Sequence, residues 1–100
     1  MNSIKIINGK VELRNDSDSL IKILGDGDII RACLNESGSL ILTTTISGNV
    51  ELFKEDGTFI RTIGNGNAKS AAFYRNNILV VTNKDSAELR GVDDSIKWVM

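Results

Sequence analysis

Apolar and polar residues alternate along this chain in short runs, and Gly, Asn, Asp or Ser cut each run short. Ile4 and Ile6 flank Lys5, Val11 and Leu13 flank Glu12, and Val50 and Leu52 flank Glu51. A period of two is that of a strand with one covered face, and no window of helical length sustains a period of about 3.6. The run from Ile41 to Ile46 is rich in β-branched residues, which suit a pleated surface better than a helix. The pattern predicts eleven strands: Ser3–Ile7, Lys10–Arg14, Ser19–Leu24, Asp28–Leu34, Leu40–Ile46, Val50–Phe53, Thr58–Ile63, Lys69–Tyr74, Ile78–Thr82, Ala87–Arg90 and Ser95–Met100. Asp28–Leu34 is apolar enough to be buried on both faces. Asn8-Gly9 supplies positive φ at both centres of a tight turn.

The pattern also repeats. Residues 9–47 align with 48–86 without a gap, at an offset of 39, with eleven identities. Gly25-Asp26-Gly27-Asp28 matches Gly64-Asn65-Gly66-Asn67, and Val11-Glu12-Leu13 matches Val50-Glu51-Leu52. A third copy starts at Ala87-Glu88-Leu89-Arg90, at a slightly shorter period. The strands therefore divide as three, four and four, over units at about 1–24, 25–63 and 64–100 of one all-β repeat domain.

A period near 40 with four short strands per unit suits a β-propeller blade. Gly48-Asn49-Val50-Glu51-Leu52-Phe53, Asp56-Gly57 and Ile60-Arg61-Thr62-Ile63 together resemble a WD40-type blade, as does Asn35 through Thr44. Phe53-Lys54 and Arg14-Asn15 stand where that family has Trp-Asp, and its Gly-His pair is missing. The resemblance implies a propeller-like array of about three blades, the first short of its innermost strand. A β-sandwich or barrel of repeated hairpins is the alternative. A blade cannot cover both of its faces alone. Three blades fall short of the four to eight of a closed propeller, so oligomerisation is expected to close the ring, two chains giving six blades.

Composition narrows the chemistry. Twelve basic and thirteen acidic residues give a net charge of -1, so nucleic acid and acidic membranes are not expected partners. The lone Cys33 allows no intrachain disulfide, which with no visible leader leads to an expected cytoplasmic location. Histidine is absent, which removes the commonest general base and metal ligand. Cys33 reads as a small packed side chain, and Trp98, in the last strand, as a seam residue.

The Gly25–Asp28 loop has the glycines and carboxylates of an ion-binding loop, but its second copy carries Asn65 and Asn67 instead. A structural connection needing positive φ twice is the preferred reading. Glu12, Glu51 and Glu88 recur once per unit and are expected to pair with Arg14, Lys22 or Arg61 on neighbouring strands rather than to form a catalytic pair. No catalytic residue, metal or cofactor is expected. The candidate binding residues are Asp26, Asp28, Arg31, Asn65, Asn67, Ser70 and Tyr74, at the loops and the mouth of a channel. The expected function is a non-enzymatic module that binds a protein partner as a homodimer. A carbohydrate- or small-ligand-binding, lectin-like assembly is the alternative.

Overall fold

The computed structural model describes all 100 residues and holds eleven strands and no helix. They are β1 (Ser3–Ile7), β2 (Lys10–Arg14), β3 (Leu20–Leu24), β4 (Ile29–Leu34), β5 (Leu40–Thr45), β6 (Val50–Lys54), β7 (Phe59–Ile63), β8 (Ala68–Tyr74), β9 (Asn77–Thr82), β10 (Ala87–Arg90) and β11 (Ile96–Val99). Sheet 1 has three strands in the order β1-β2-β3; sheet 2 runs β4-β5-β6-β7 and sheet 3 runs β8-β9-β10-β11. Every pairing is antiparallel between sequence neighbours. The strands and their three-four-four division follow the hydrophobic pattern closely. No sheet closes on itself, so none is a barrel.

The turns explain why the strands stop where they do. Asn8 (φ 53°) and Gly9 (φ 75°) give the β1–β2 hairpin its two positive φ values. The β5–β6 and β9–β10 turns share one construction. The buried Thr45 and Thr82 hydroxyls accept the amides of Asn49 and Ser86, at 3.0 and 3.2 Å. Each turn closes with an amide to the threonine carbonyl, Gly48 to Thr45 and Asp85 to Thr82, both at 3.0 Å. Asp85 is therefore the counterpart of Gly48.

Antiparallel register sorts the side chains into rows that share a face. In sheet 1 one row is Ile4, Leu13 and Lys22 and the next is Ile6, Val11 and Leu24. Val11, Leu13 and Leu24 pack on Ile29, Ile41 and Phe53 of sheet 2. The Phe53 and Phe59 rings meet edge to face at 5.7 Å beside them. The opposite face of sheet 2 presents Leu42, Val50, Leu52 and Ile63 to Ala68, Ile78 and Val80 of sheet 3. The core thus lies in two seams between sheets, and sheet 2 is covered on both sides. This is why β5 is buried at every position but its first. β4 departs from its expectation of two buried faces: Ile30 and Arg31 are exposed, because β4 is the edge strand of its sheet.

Backbone bonds lock each seam at the same place. The Ile29 amide donates to the Gly9 carbonyl at 2.9 Å, and the Ala68 amide to the Gly48 carbonyl at 3.0 Å. Close approach makes glycine necessary there. A Cβ on Gly9 would lie 2.1 Å from the Gly27 oxygen, and one on Gly48 would lie 2.7 Å from the Gly66 oxygen. Gly48→Ala should destabilise the fold by roughly 2 kcal/mol or more, since it adds a backbone collision to a left-handed φ. Gly64, with φ 82° and no atom within 4 Å of its would-be Cβ, is the control. Gly64→Ala should cost only the conformational penalty of about 1–2 kcal/mol. Urea titration of both variants checks the ordering.

The Thr43 hydroxyl is buried with no hydrogen-bond partner. Thr43 pairs with Glu51 in sheet 2, as Val80 pairs with Glu88 in sheet 3, so valine already fills the corresponding place. Relief of an unsatisfied buried hydroxyl is worth about 1–3 kcal/mol. Thr43→Val should therefore raise the melting temperature by about 4 °C or more on the usual scaling for a chain of this size. A lowered melting temperature by calorimetry would show that the hydroxyl is not a liability.

Candidate functional site

The repeat places four of the seven candidate residues together. Asp26 and Asp28 lie in the loop before β4, and Asn65 and Asn67 in the matching loop before β8. Gly25, Gly27, Gly64 and Gly66 all have positive φ, as a tight connection requires. Both loops are tied to the turns beside them, the Asp28 carbonyl accepting the Ile46 amide and the Asn67 carbonyl the Asn83 amide, each at 2.9 Å. Arg31 and Ser70 stand at matching places on β4 and β8, near the same end. Tyr74 does not join them. It ends the seven-residue β8, about 20 Å from that strand's start. Its ring lies under Arg75, whose guanidinium carbon is 5.5 Å from the ring centroid.

Asp26 and Asp28 act electrically on Glu51. Its carboxyl is pushed above the ordinary glutamate value, chiefly by burial and then by the charges of Asp28 and Asp26. Nowhere do three or more His, Cys, Asp or Glu side chains gather around one position.

Glu51 also lacks the cation that its repeats have. Glu12 pairs with Arg14 at 3.1 Å and Glu88 with Arg90 at 2.9 Å, each with a residue two along its own strand. Of the expected partners only Arg14 pairs, and it does so within its own strand rather than across strands, because residues two apart share a face; Arg90, the partner of Glu88, is not among them. Phe53 takes the arginine position in sheet 2. Each arginine also reaches the turn that follows. Arg14 donates to the Asp18 carbonyl at 2.8 Å and Arg90 to the Asp94 carbonyl at 3.1 Å. The same three-residue constellation, Glu12–Arg14–Asp18 and Glu88–Arg90–Asp94, therefore occurs twice.

Its two copies sit in different surroundings. Arg90 is buried in the seam between sheets 2 and 3. Burial works against its charge, but Glu88 and Asp94 outweigh that and raise its pKa. Asp94 is itself satisfied by the Gly64 amide of sheet 2 at 2.8 Å. Arg14 lies on the outer side of sheet 1, where no sheet covers it. The row Lys5–Glu12–Ile23 shares that face and lines shallow hollows with Ser3, Ile7 and Asp18.

The outer face of sheet 3 is apolar. Leu79, Leu89 and Trp98 stand in one row and, with Tyr74 and Lys97, line a hollow of about 450 Å³. The composition gave no hint of this face, although the repeat contained it. Leu89 is the repeat of Leu13 and Leu52; those two are buried, whereas Leu89, over which no further sheet lies, is only half-buried. A second groove, of about 530 Å³, lies between Asn35, Glu36 and Ser37 on one side and Phe73, Arg75, Asn76 and Val92 on the other. Of the seven candidate residues only Tyr74 lines a hollow. Cys33 is half-buried, and burial raises its thiol pKa against a smaller opposing effect of the Phe73 backbone, which keeps it a poor nucleophile.

The chain is an all-β protein of three antiparallel sheets, with no helix and therefore none long and apolar enough to cross a membrane. No protein-family model and no curated protein matches it.

Glu51 makes a pH signature. A carboxyl whose folded pKa is raised binds its proton more tightly in the folded state. It favours folding below the unfolded pKa, and that contribution is lost as pH rises through the folded value. Glu51→Gln should therefore raise the melting temperature at pH 7, with the gain shrinking as pH falls through the carboxylate range. Thermal melts of both proteins at several pH values check this; a gain independent of pH would assign the effect to packing.

Proposed function

We propose that this chain is a non-enzymatic binding module, a propeller-like assembly of WD40-type units made by two copies closing a six-unit ring. It works in the cytoplasm and takes a protein partner on its loop faces. The observation that carries this reading is the state of the two end sheets. The middle sheet is covered on both faces, whereas the outer faces of sheets 1 and 3 carry Ile21, Ile23, Trp98 and Met100 at 40–74% exposure. Patches of that kind mark association surfaces. The loops bearing Asp26, Asp28, Asn65 and Asn67, with Arg31 and Ser70 behind them, offer a polar surface of hydrogen-bonding groups suited to a protein rim.

One observation favours a second reading. The groove beside Phe73 offers Asn35, Asn76 and Arg75 around an aromatic edge, a mixture suited to a carbohydrate or other small polar ligand.

Sedimentation equilibrium should give twice the 10.9 kDa chain mass. A monomer at all micromolar concentrations would sink the assembly. Capture of a protein partner that is lost on Asp26→Lys with Asp28→Lys supports the first function. A glycan-array signal lost on Phe73→Ala, with no such capture, supports the second.

A further inference from the structure

The three sheets are built as one unit with two unlike faces. The register of β2–β3, β6–β7 and β10–β11 pairs Leu13 with Lys22, Leu52 with Arg61 and Leu89 with Trp98. In sheets 1 and 2 this row faces the following sheet and joins the core. In sheet 3 the same row faces outward, uncovered. The opposite face receives the preceding sheet. Its row is Thr43–Glu51–Thr62 in sheet 2, Val80–Glu88–Val99 in sheet 3 and Lys5–Glu12–Ile23 in sheet 1. One delivering face, on sheet 3, and one receiving face, on sheet 1, are thus left open.

Resting on the two-copy reading above, we infer that the outer face of sheet 3 docks onto the outer face of sheet 1 of a second copy, head to tail, with Trp98 seated on the partner's Arg14–Asp18 turn. Both existing seams supply the pattern. Lys22 Nζ donates to the Gly57 carbonyl at 3.2 Å, and Arg61 Nη1 donates to the Asp93 carbonyl at 3.3 Å. In each case a residue of the last strand reaches the final hairpin turn of the next sheet. Trp98 holds the third such position, and 50% of it is exposed. Its indole N–H is a donor, and its ring is a surface for a guanidinium. The Glu12–Arg14–Asp18 cluster awaiting it repeats the cluster that receives sheet 2 at the existing seam, where Gly64 bonds Asp94. Tryptophan and arginine are also the side chains that most often dominate binding energy.

Asp85 argues for a second copy over another four-stranded unit. At each internal seam the corresponding residue, Gly9 or Gly48, lies against the Gly-x-Gly loop that leads into the next sheet. Asp85, at φ 63°, puts a Cβ where that loop would run. β1 is the edge strand of sheet 1, and the residues Met1-Asn2 ahead of it are not a Gly-x-Gly loop. It is therefore the receiving face that Asp85 can tolerate.

A mixing experiment tests this. Trp98→Ala removes the delivering contact and Arg14→Glu the receiving one; circular dichroism and a thermal melt establish that each variant is folded. Ile23→Lys, on the same outer face, replaces Arg14→Glu if that variant is unstable. In analytical ultracentrifugation each variant alone should associate at least tenfold more weakly than the wild type. An equimolar mixture should regain dimer, because the mixed pair keeps one unaltered seam. Wild-type dimerisation by either variant overturns the inference. So does a mixture that stays monomeric while the wild type dimerises, which would mean a like-with-like contact and leave the two-copy reading standing. A monomeric wild type removes both.

Discussion

The structure depends on the covering of sheet faces by neighbouring sheets. A three- or four-stranded antiparallel sheet encloses no interior, and its apolar row gains nothing until another surface excludes water from it. Here Val11, Leu13 and Leu24 are covered by sheet 2, and Leu42, Val50, Leu52 and Ile63 by sheet 3. The middle sheet lies between both clusters. Loss of either seam would expose a complete face of it, so folding of the three sheets is expected to be coupled. The end sheets show the contrast: β3 is buried only at Leu24 and β11 nowhere.

Close sheet packing places secondary demands on particular residues. The seam hydrogen bonds from Ile29 and Ala68 require the backbone of one hairpin to touch the loop of the next sheet, and only glycine at positions 9 and 48 leaves the room. Charges in a seam must be paired before they are covered. Arg90 meets that demand with Glu88 and Asp94, and Asp94 draws a further bond from Gly64. The seam between sheets 1 and 2 uses a different solution. Phe53 supplies apolar area in place of the arginine, and Glu51 is left without a cation, with its carboxyl pushed up by burial and by Asp28 and Asp26. Repeated sequence positions thus carry either an ionic or an apolar seam, and the unpaired glutamate is a by-product of the apolar one.

Much of the fold was legible in the sequence because both of its main signals are local. Alternation of Val11-Glu12-Leu13 defines a strand, and Asn8-Gly9 defines where it must turn. The repeat then fixes how strands group into sheets. The exposure of β4 was not legible, because an apolar run cannot reveal that a strand lies at an edge. The ion pairs within a strand, Glu12 with Arg14 and Glu88 with Arg90, were readable from their two-residue spacing, which puts both side chains on one face. The candidate site was less legible. Asp26, Asp28, Asn65 and Asn67 share an end of the array because their loops repeat, whereas Tyr74, chosen on the same strand as Ser70, lies at the far end. The grooves beside Phe73 and Trp98 come from side chains distant in sequence and have no local signature.

The two open faces differ in a way that bears on assembly. Identical exposed faces would favour a contact of like with like. Here one face is apolar, with Leu79, Leu89 and Trp98, and the other mixes Ile23 with Lys5, Glu12 and Arg14. Unlike faces joined head to tail either close after a whole number of copies or run on as a fibre. Which occurs depends on the rotation from one sheet to the next, and that rotation is set by the seams that the glycine contacts hold in place. The same positions 9 and 48 that let neighbouring sheets touch therefore also bear on the angle at which one sheet follows another. Asp85 stands where Gly48 stands in the internal seam, and it carries a Cβ where that glycine has none.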